Sequence, residues 1–376
     1  MKSNTSIEGS LSYLKDVFER RHEYLSNLKR ESGKKLFGYF STYTPEEILC
    51  SFKIHPTRIL ASPTPLSHAD SKLQSFCCSL VRSCLNEGLS SRLSYLDGVI
   101  FSSGTCDSLR NLAEIWQSSV DIEIFFLSEP AKLDRDAVSY FSQELWNLIK
   151  KLEAFQGEEF SKKAFKESIE IYNENRLLLS ELYKFRLKHP EIIPYSEIFY
   201  VVVSSQILPK EQHNCILKEI LSSLGNKISS KESGIPLFIS GSYLSSPRIF
   251  EWIEDLGGCV ISDDLSCGSR YFDFQIEAFG VETLAASYLK KIPNPVKFDE
   301  GLKREKRILD TVEGHEIRGV IFVLQKFCES HAFDYVRIKN KLKALGVKTL
   351  LIETDHGISN EGQVKTRIQS FLEMIQ

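Results

Sequence analysis

Apolar residues follow two alternating patterns along the chain. Between about residues 6 and 30 they recur at helical spacing with charges between them, which predicts one amphipathic helix. Short apolar runs and helical segments then alternate, and Thr44 is expected to cap a helix that begins at Pro45. The predicted strands are LFGYF, HPTRILA, LDGVIFS and IEIFFLS, and the predicted helices include 70–88 and CDSLRNLAEIWQ.

The pattern changes at Arg135, where long helical stretches begin and continue to about Tyr200. Alternation then resumes with the strands IPLFIS, GCVIS, RGVIFVL and VKTLLIE, each followed by a loop or a helix. Strands that alternate with helices predict parallel sheets covered on both faces. The fold class is therefore α/β, with two halves joined by a helical region. The predicted divisions are an N-terminal helical segment 1–34, α/β domains 35–130 and 231–376, and a helical region 131–230.

Two of the predicted strands end in a similar way. GVIFSSGTCDS places Cys106 shortly after an apolar run, and GVIFVLQKFCES places Cys328 after another. Ligands of open α/β sheets gather at the carboxyl ends of the strands. These two thiols are therefore candidate functional groups.

Composition and charge narrow the function class. The 376 residues carry a net charge of −3, so the chain lacks the basic field that nucleic-acid binding needs. The N-terminal segment is polar and no run of about 18 apolar residues occurs, so we expect a soluble cytoplasmic protein without a membrane span. Nine cysteines in a reducing compartment point to metal or redox chemistry more than to disulfides.

Thiolates are soft ligands that suit zinc or iron–sulfur clusters. The sequence has no C-x-x-C, so any such site must be assembled from distant segments. Three thiolates would leave one iron of a cubane open to substrate. His55 and His356 flank predicted turns and are expected to be surface or capping groups. The candidates for a third thiol ligand are Cys77, Cys78, Cys84 and Cys267.

Two acidic clusters have alternative interpretations. Glu46 and Glu47 lie at a strand-to-helix corner, where they act either as favourable charges in the first helical turn or in catalysis. Asp263, Asp264 and Arg270 follow an apolar strand, in a loop that forms either an ion pair or a substrate-binding site.

Several of these segments occur in the order found in one protein family. FGYFSTYTPEEIL, CSLVRSCLNEGL, LDGVIFSSGTCDSLR, GSYLSSPRIFEWIEDLGGCVISDDLSCGSRYF and RGVIFVLQKFCES resemble subunits of 2-hydroxyacyl-CoA dehydratases and the related benzoyl-CoA reductases. The resemblance extends from about Lys35 onward. It implies two flavodoxin-like domains and a 4Fe-4S cluster held by Cys78, Cys106 and Cys328, with Cys77 as the rival of Cys78.

The resemblance also implies a lyase activity. Dehydratases of this family pair two such subunits, and an ATP-dependent iron–sulfur activator protein delivers one electron, so that an acyl-CoA substrate loses water through a ketyl radical under anaerobic conditions. By analogy Ser41 would donate a hydrogen bond to the substrate, and Glu47, with Glu46 as rival, would act as acid or base. Asp264 and Arg270 are predicted to bind substrate.

Three alternatives stay open at this point. A reductase with a double-cubane cluster would need about six thiolates. A non-catalytic subunit would relay electrons or act as a scaffold. The partner would be a sister subunit in a heterodimer, or a second copy of the same chain in a homodimer.

Overall fold

The computed structural model describes residues 7–62, 64–102, 104, 106–225, 234–355 and 360–376. These residues form two four-stranded sheets, both entirely parallel, which confirms the predicted α/β class. The spatial orders, β2-β1-β3-β4 and β6-β5-β7-β8, are equivalent and agree with a flavodoxin-like arrangement. The strands are β1 Leu36–Tyr39, β2 His55–Arg58, β3 Gly98–Ser102, β4 Glu123–Leu127, β5 Ile235–Gly241, β6 Gly258–Asp264, β7 Gly319–Gln325 and β8 Lys348–Thr354.

Helices surround both sheets, and the part of the chain that joins the first sheet to the second is also helical. The first half contains α1 Ile7–Glu19, α2 Arg21–Ser32, α3 Glu46–Ser51, α4 Ser79–Leu89 and α5 Asp107–Ser119. The predicted helical region contains α6 Arg135–Gln156, α7 Lys162–Lys188, α8 Tyr195–Ser204 and α9 Lys210–Leu224. The second half contains α10 Arg248–Asp255, α11 Ser269–Phe272, α12 Val281–Lys290, α13 Lys303–Gly314, α14 Glu329–Ala344 and α15 Glu361–Ile375.

Burial of the strands explains why they were recognisable in the sequence. Every residue of β1, β2, β3 and β7 is buried, as expected for strands covered on both faces. The edge strands β4 and β8 retain exposed positions. The predicted domain boundaries enclose these elements but stay predictions.

One helix of the second half packs on the first half. Trp146 of α6 donates from Nε1 to Glu282 of α12, at 3.1 Å. Leu284 and Tyr288 of α12 belong to the same hydrophobic core as Phe37 of β1. The second half of the chain therefore contributes side chains to the first sheet's carboxyl end.

Two helix predictions were wrong in extent. The single N-terminal helix is divided at Arg20 into α1 and α2. The predicted helix 70–88 begins only at Ser79, because Phe76 is 65% exposed and the preceding residues have no continuous apolar face to bury. A short 3-10 turn, Ala69–Ser71, replaces its first part, so Cys77 and Cys78 precede the helix.

Three local predictions also need correction. Pro45, not Thr44, is the N-cap residue of α3, and it leaves that cap without a side-chain hydrogen bond. Asp264 ends β6 instead of lying in the following loop. His55 is buried in β2, where Nε2 donates to the carbonyl of Ile207 at 2.7 Å, instead of lying at the surface. His356 lies outside the described residues.

No helix in the described ranges combines the length and apolar character that crossing a bilayer requires.

Two buried neutral histidines predict a loss of stability in acid. Burial lowers the pKa of His55 from 6.5 to about 4 and that of His213 to about 3. Below pH 6.5 the unfolded chain binds protons that the folded chain does not, so the free energy of unfolding should decrease as pH falls from 6.5 towards 4, by roughly 1 kcal/mol per pH unit for each histidine. Urea unfolding at several pH values measures this slope.

His55→Asn should make that pH dependence shallower, whatever its effect on stability at pH 7.5. His68→Asn is the matched control, since His68 is exposed, and it should retain the slope of the unmodified chain. Equal slopes for the two variants would contradict the assignment.

Candidate functional site

Three cysteines lie directly before three helices. Cys78 precedes α4, Cys106 precedes α5 and Cys328 precedes α14. Cys106 and Cys328 follow β3 and β7, which occupy equivalent positions in the two sheets. The fold thus directs these thiols to the carboxyl ends of the sheets, where open α/β folds bind ligands.

The three thiols influence one another electrostatically and are therefore close in space. Burial raises the pKa of Cys328 to about 12, and the charges of Cys78 and Cys106 contribute to this increase. Burial also raises the pKa of Cys106, again with a contribution from Cys78. Like charges disfavour ionisation in this way only over short distances. The fold brings together thiols from three distant parts of the chain.

Each of these thiols also lies near the backbone amides of its own helix. Burial raises the pKa of each thiol, whereas amides in the first helical turn act to lower it. The positive ends of three helices therefore favour the thiolate forms that a metal cluster would bind. The amides belong to Leu80 and Val81 for the first thiol, Ser108 and Leu109 for the second and His331 for the third.

A hydrogen-bonded contact connects the start of α4 to the end of β7. Ser79 donates from Oγ to Oε1 of Gln325 at 2.6 Å, and both residues are buried. Gln325 also donates from Nε2 to the carbonyl of Tyr243 at 3.0 Å. Because Ser79 follows Cys78 and Gln325 lies three residues before Cys328, this contact holds the first and last thiols near each other.

The other candidate thiols are less favourably placed. Cys78, rather than its neighbour Cys77, is the thiol whose charge acts on both Cys106 and Cys328. Cys84 is fully buried within α4, and the buried sulfur of Cys267 accepts from the amide of Leu244 at 3.4 Å. These observations favour Cys78, although the ligand assignment stays a prediction.

The donor set fits a cubane better than a single ion. Within the described ranges, no three histidine, cysteine or acidic side chains are grouped closely enough to hold one metal ion. A 4Fe-4S cluster does not require such a group, because each cysteine ligand binds a different iron. Three separate thiols within electrostatic range of one another match that requirement.

Asp264 and Arg270 form a buried ion pair next to the thiols. Arg270 Nε lies 3.4 Å from Asp264 Oδ1, and Arg304 Nε donates to Asp264 Oδ2 at 2.8 Å. Burial would raise the pKa of Asp264, but the two guanidinium groups hold it below its usual value. The charge of Arg270 in turn acts to lower the pKa of Cys328. The ion-pair alternative is therefore present in the structure, and a role in substrate binding stays a prediction.

Glu47 is completely buried and both of its carboxylate oxygens have partners. Arg176 of α7 pairs with Oε1, and Tyr288 of α12 donates to Oε2 at 2.8 Å. A buried carboxylate with a guanidinium and a phenol as partners is held in a defined orientation.

Glu46 belongs to a second buried group. Tyr271 donates to Glu46 Oε1 at 2.9 Å, and Lys210 Nζ lies 3.7 Å from Oε2. Lys210 also donates to the hydroxyl of Tyr271 at 2.5 Å. Burial raises the pKa of Tyr271 well above its ordinary value and lowers the pKa of Lys210. The three groups form one connected set of polar contacts.

Ser41 lies at the carboxyl end of β1, next to the strand that leads to Cys106. Its Oγ accepts from the amide of Tyr43 at 3.1 Å, and the residue is only 5% exposed. Accepting this bond leaves the hydroxyl proton available to a ligand.

Sequence reasoning missed Arg176, Lys210, Tyr271 and Tyr288 because no local pattern connects them with Glu46 or Glu47; even Tyr271, which lies in the segment that ends CGSRYF, was given no role. One signal was available for Arg176, which lies on the apolar stripe of α7. A charged residue at such a position needs a buried partner. The apolar stripe consists of Phe165, Ile169, Tyr172 and Leu179.

Two parallel four-stranded sheets, three thiols that each precede a helix, and two buried carboxylates at a strand-to-helix corner define the class of this α/β protein. Residues 41–375 match the family of the 2-hydroxyglutaryl-CoA dehydratase, D-component, and the chain belongs to that family.

Named relatives agree with this assignment. The chain is 26% identical to the lactoyl-CoA dehydratase subunit beta of Anaerotignum propionicum over 374 residues, 98% of this chain and 99% of the relative. It is 26% identical to the (R)-phenyllactyl-CoA dehydratase beta subunit of Clostridium sporogenes, covering 96% and 97% of the two chains. It is 29% identical to a benzoyl-CoA reductase subunit of Thauera aromatica, covering 80% of each.

The pairing of Glu47 predicts a large effect of Arg176→Met. Removing the guanidinium leaves a buried carboxylate without its cationic partner, so the free energy of unfolding should decrease by about 3–5 kcal/mol. Urea unfolding monitored by circular dichroism measures the difference.

Lys166→Met is the matched control on the same helix. Lys166 and Glu170 form a pair 3.8 Å apart in which both side chains are 53% exposed, so its loss should cost less than about 1 kcal/mol. Equal stability of the two variants would show that the ion pair between Arg176 and Glu47 contributes no more to the free energy of unfolding than an exposed pair does.

Proposed function

We propose that this chain is the iron–sulfur subunit of an ATP-activated 2-hydroxyacyl-CoA dehydratase. The observation that carries the proposal is the convergence of Cys78, Cys106 and Cys328 at three helix N-termini. Family membership and the dehydratase names of two relatives support the reaction class. The proposal implies that the chain is part of a lyase and that it acts in the cytoplasm.

In the proposed enzyme, Cys78, Cys106 and Cys328 would hold a 4Fe-4S cluster. When bound, the cluster supplies low-potential electron transfer and a Lewis-acidic iron for the thioester carbonyl. Loss of water from a 2-hydroxyacyl thioester otherwise requires removal of a β-proton too weakly acidic for ordinary bases. One-electron reduction to a ketyl radical anion would expel the 2-hydroxyl group as hydroxide and leave a more acidic β-proton. After that proton is removed, the electron would be given up again as the unsaturated product forms.

The chain's own residues then have specific roles. Ser41 donates a hydrogen bond to the substrate, and Glu47, oriented by Arg176 and Tyr288, acts as the acid or base. Glu46, which accepts from Tyr271 and lies near Lys210, is the alternative acid or base. Arg270 stabilises negative charge beside Cys328, and together with Asp264 it binds the polar part of the substrate.

Benzoyl-CoA reductase activity is the second candidate, because the relative of that name is 29% identical. A double-cubane reductase is less well supported, since Cys84 and Cys267 are buried away from solvent and Cys215 is exposed. A subunit that only relays electrons would keep a cluster on its thiols, and a scaffold subunit would have no cluster. Neither would act on substrate.

Iron content distinguishes these candidates. Protein purified without oxygen should contain about four irons and four sulfides per chain, against about eight for a double cubane. Cys78→Ser, Cys106→Ser and Cys328→Ser should each lose most of the iron, whereas Cys77→Ser and the exposed Cys215→Ser should keep it. Unchanged iron in all three ligand variants would refute the site.

Activity is then measured with the sister subunit, the activator ATPase, ATP and a panel of 2-hydroxyacyl-CoA thioesters. Water loss that depends on ATP and on all three cysteines supports the dehydratase proposal. Reduction of an aromatic acyl-CoA, without water loss from any 2-hydroxyacyl-CoA, would replace it with the reductase.

The proposed partner is a sister subunit that covers the rim of the thiol site. Phe76 lies two residues before Cys78 and is 65% exposed, and Phe327 precedes Cys328 and is 53% exposed. Phe327 has a φ of 66°, a strained conformation for a bulky residue, and Phe333 on α14 is 80% exposed. Large exposed aromatic side chains beside a functional site are typical of protein interfaces.

Phe333→Ser is therefore expected to weaken binding of the sister subunit about tenfold or more, because a buried aromatic is a frequent interface anchor. Biolayer interferometry between the purified subunits measures the affinity. Phe279→Ser is the control. Phe279 is 54% exposed but lies far in sequence from Cys78, Cys106 and Cys328. Equal affinities of the two variants for the sister subunit would show that this rim lies outside the interface.

A further inference from the structure

A row of buried charges connects the neighbourhood of Cys328 with the body of α14. Its four members alternate in sign, and each forms an ion pair with the next. The first three side chains are at most 3% exposed and the last is 12% exposed. Charges at such depth are tolerated only with partners, so the four groups depend on one another. We call them the charge row, which consists in order of Arg270, Asp264, Arg304 and Asp334.

Asp264 lies between two arginines but is closer to one of them. Arg304 Nη2 lies 2.7 Å from Asp264 Oδ2, and Arg304 Nε donates to the same oxygen at 2.8 Å. Arg270 Nε lies 3.4 Å from Asp264 Oδ1, which is longer than a good hydrogen bond. Because attraction between charges weakens with distance, the carboxylate is neutralised mainly by Arg304.

The other donors of Arg270 go to neutral acceptors. Its Nη1 donates to Oδ1 of Asn294 at 2.8 Å, and its Nη2 donates to the carbonyl of Gly241 at 2.7 Å. Gly241 ends β5 and is paired with Val323 of β7, the strand that leads to Cys328. Arg270 is therefore fixed at the carboxyl end of the second sheet, and these two acceptors do not cancel its charge.

The outer end of the charge row lies on α14, the helix that Cys328 precedes. Arg304 forms an ion pair with Asp334, and Arg337 Nη2 lies 2.7 Å from Asp334 Oδ1. Asp334 therefore has two cationic partners, one inside the row and one towards solvent. Arg304 in turn divides its charge between two carboxylates.

Both arginines of the row lie near the first turn of α14. Burial lowers the pKa of His331 well below its ordinary value, and the charges of Arg270 and Arg304 act in the same direction. The charge of Arg270 also acts on Cys328. The field of the charge row thus reaches the turn that follows the third thiol.

We infer that Arg304 is a positioning residue for the charge beside Cys328: it neutralises Asp264, so that the guanidinium of Arg270 favours negative charge at the thiol. The effect on a cluster rests on the proposed function, whereas the effect on the thiol itself does not. A 4Fe-4S cluster gains one negative charge when it is reduced, and nearby charge is one of the factors that set its potential. Arg304 therefore makes the proposed cluster easier to reduce.

The first test is a redox titration of the full chain, purified without oxygen and monitored by electron paramagnetic resonance. Arg304→Gln keeps an amide donor for Asp264 but removes the positive charge. The ratio of oxidised to reduced cluster at a fixed potential should increase about tenfold, which is a decrease of about 59 mV in the potential of a one-electron couple. Arg304→Lys, which keeps the charge, should cause a smaller shift.

Lys306→Gln is the matched control, because it removes one positive charge from an exposed position of the same helix. Solvent and salt screen that charge, so the potential should not change. Asp334→Asn should shift the potential upward, since Arg304 then loses its second carboxylate and pairs more completely with Asp264. This variant keeps the test decisive if Arg304→Gln does not fold. A purely structural role in holding α14 would shift both variants in the same direction.

The second test needs no cluster. In the iron-free chain at one fixed pH, iodoacetamide should alkylate Cys328 about threefold or more slowly in Arg304→Gln than in the unmodified chain, because the thiolate is the reactive form. Peptide mass spectrometry measures the rate at each cysteine. The exposed Cys215 is the internal control and should react equally in both proteins.

Equal potentials in Arg304→Gln and Lys306→Gln would overturn the inference, as would a lower potential in Asp334→Asn or equal rates of Cys328 alkylation. Iron analysis of the same preparations separates the two proposals. Four irons per chain with unchanged potentials refutes the role of Arg304 alone. Absence of iron with slower alkylation of Cys328 in Arg304→Gln refutes the cluster alone.

Discussion

Two consecutive buried carboxylates constrain how this protein folds. Glu46 and Glu47 are removed from water on a short helix, and charges in such a place need cations and hydrogen-bond donors to be tolerated. Those donors come from four other helices: Arg176 of α7, Lys210 of α9, Tyr271 of α11 and Tyr288 of α12. Satisfying the pair therefore requires the helical region and the second half of the chain to close on the first sheet.

The sequence predicts the strands well and the polar partnerships poorly, for different physical reasons. A strand buried on both faces is a continuous apolar run, so β3 and β7 were recognisable together with the cysteines that follow them. Hydrophobic spacing failed before α4, where Phe76 has helical spacing but points to solvent. The partners of Glu47 and His55 lie 129 and 152 residues away, and local pattern contains no information on such pairs.

Charge in this protein is distributed unevenly, which the net value of −3 conceals. The three cysteines lie at the N-termini of three helices, and the guanidinium of Arg270 acts on Cys328; both features favour anions. Thiolates and the reduced cluster of the proposed function are negatively charged. The local field, rather than total charge, thus matches the proposed chemistry.

The contact between Ser79 and Gln325 has a consequence for biogenesis. Cys78 and Cys328 are 250 positions apart (328 minus 78), so at about 5–20 residues per second a ribosome needs roughly 10–50 s to make the last thiol after the first. Insertion of the cluster proposed for these thiols would therefore wait until translation is nearly finished and both halves of the chain have folded together. During that interval the early cysteine depends on its surroundings, and not on iron, for protection from oxidation.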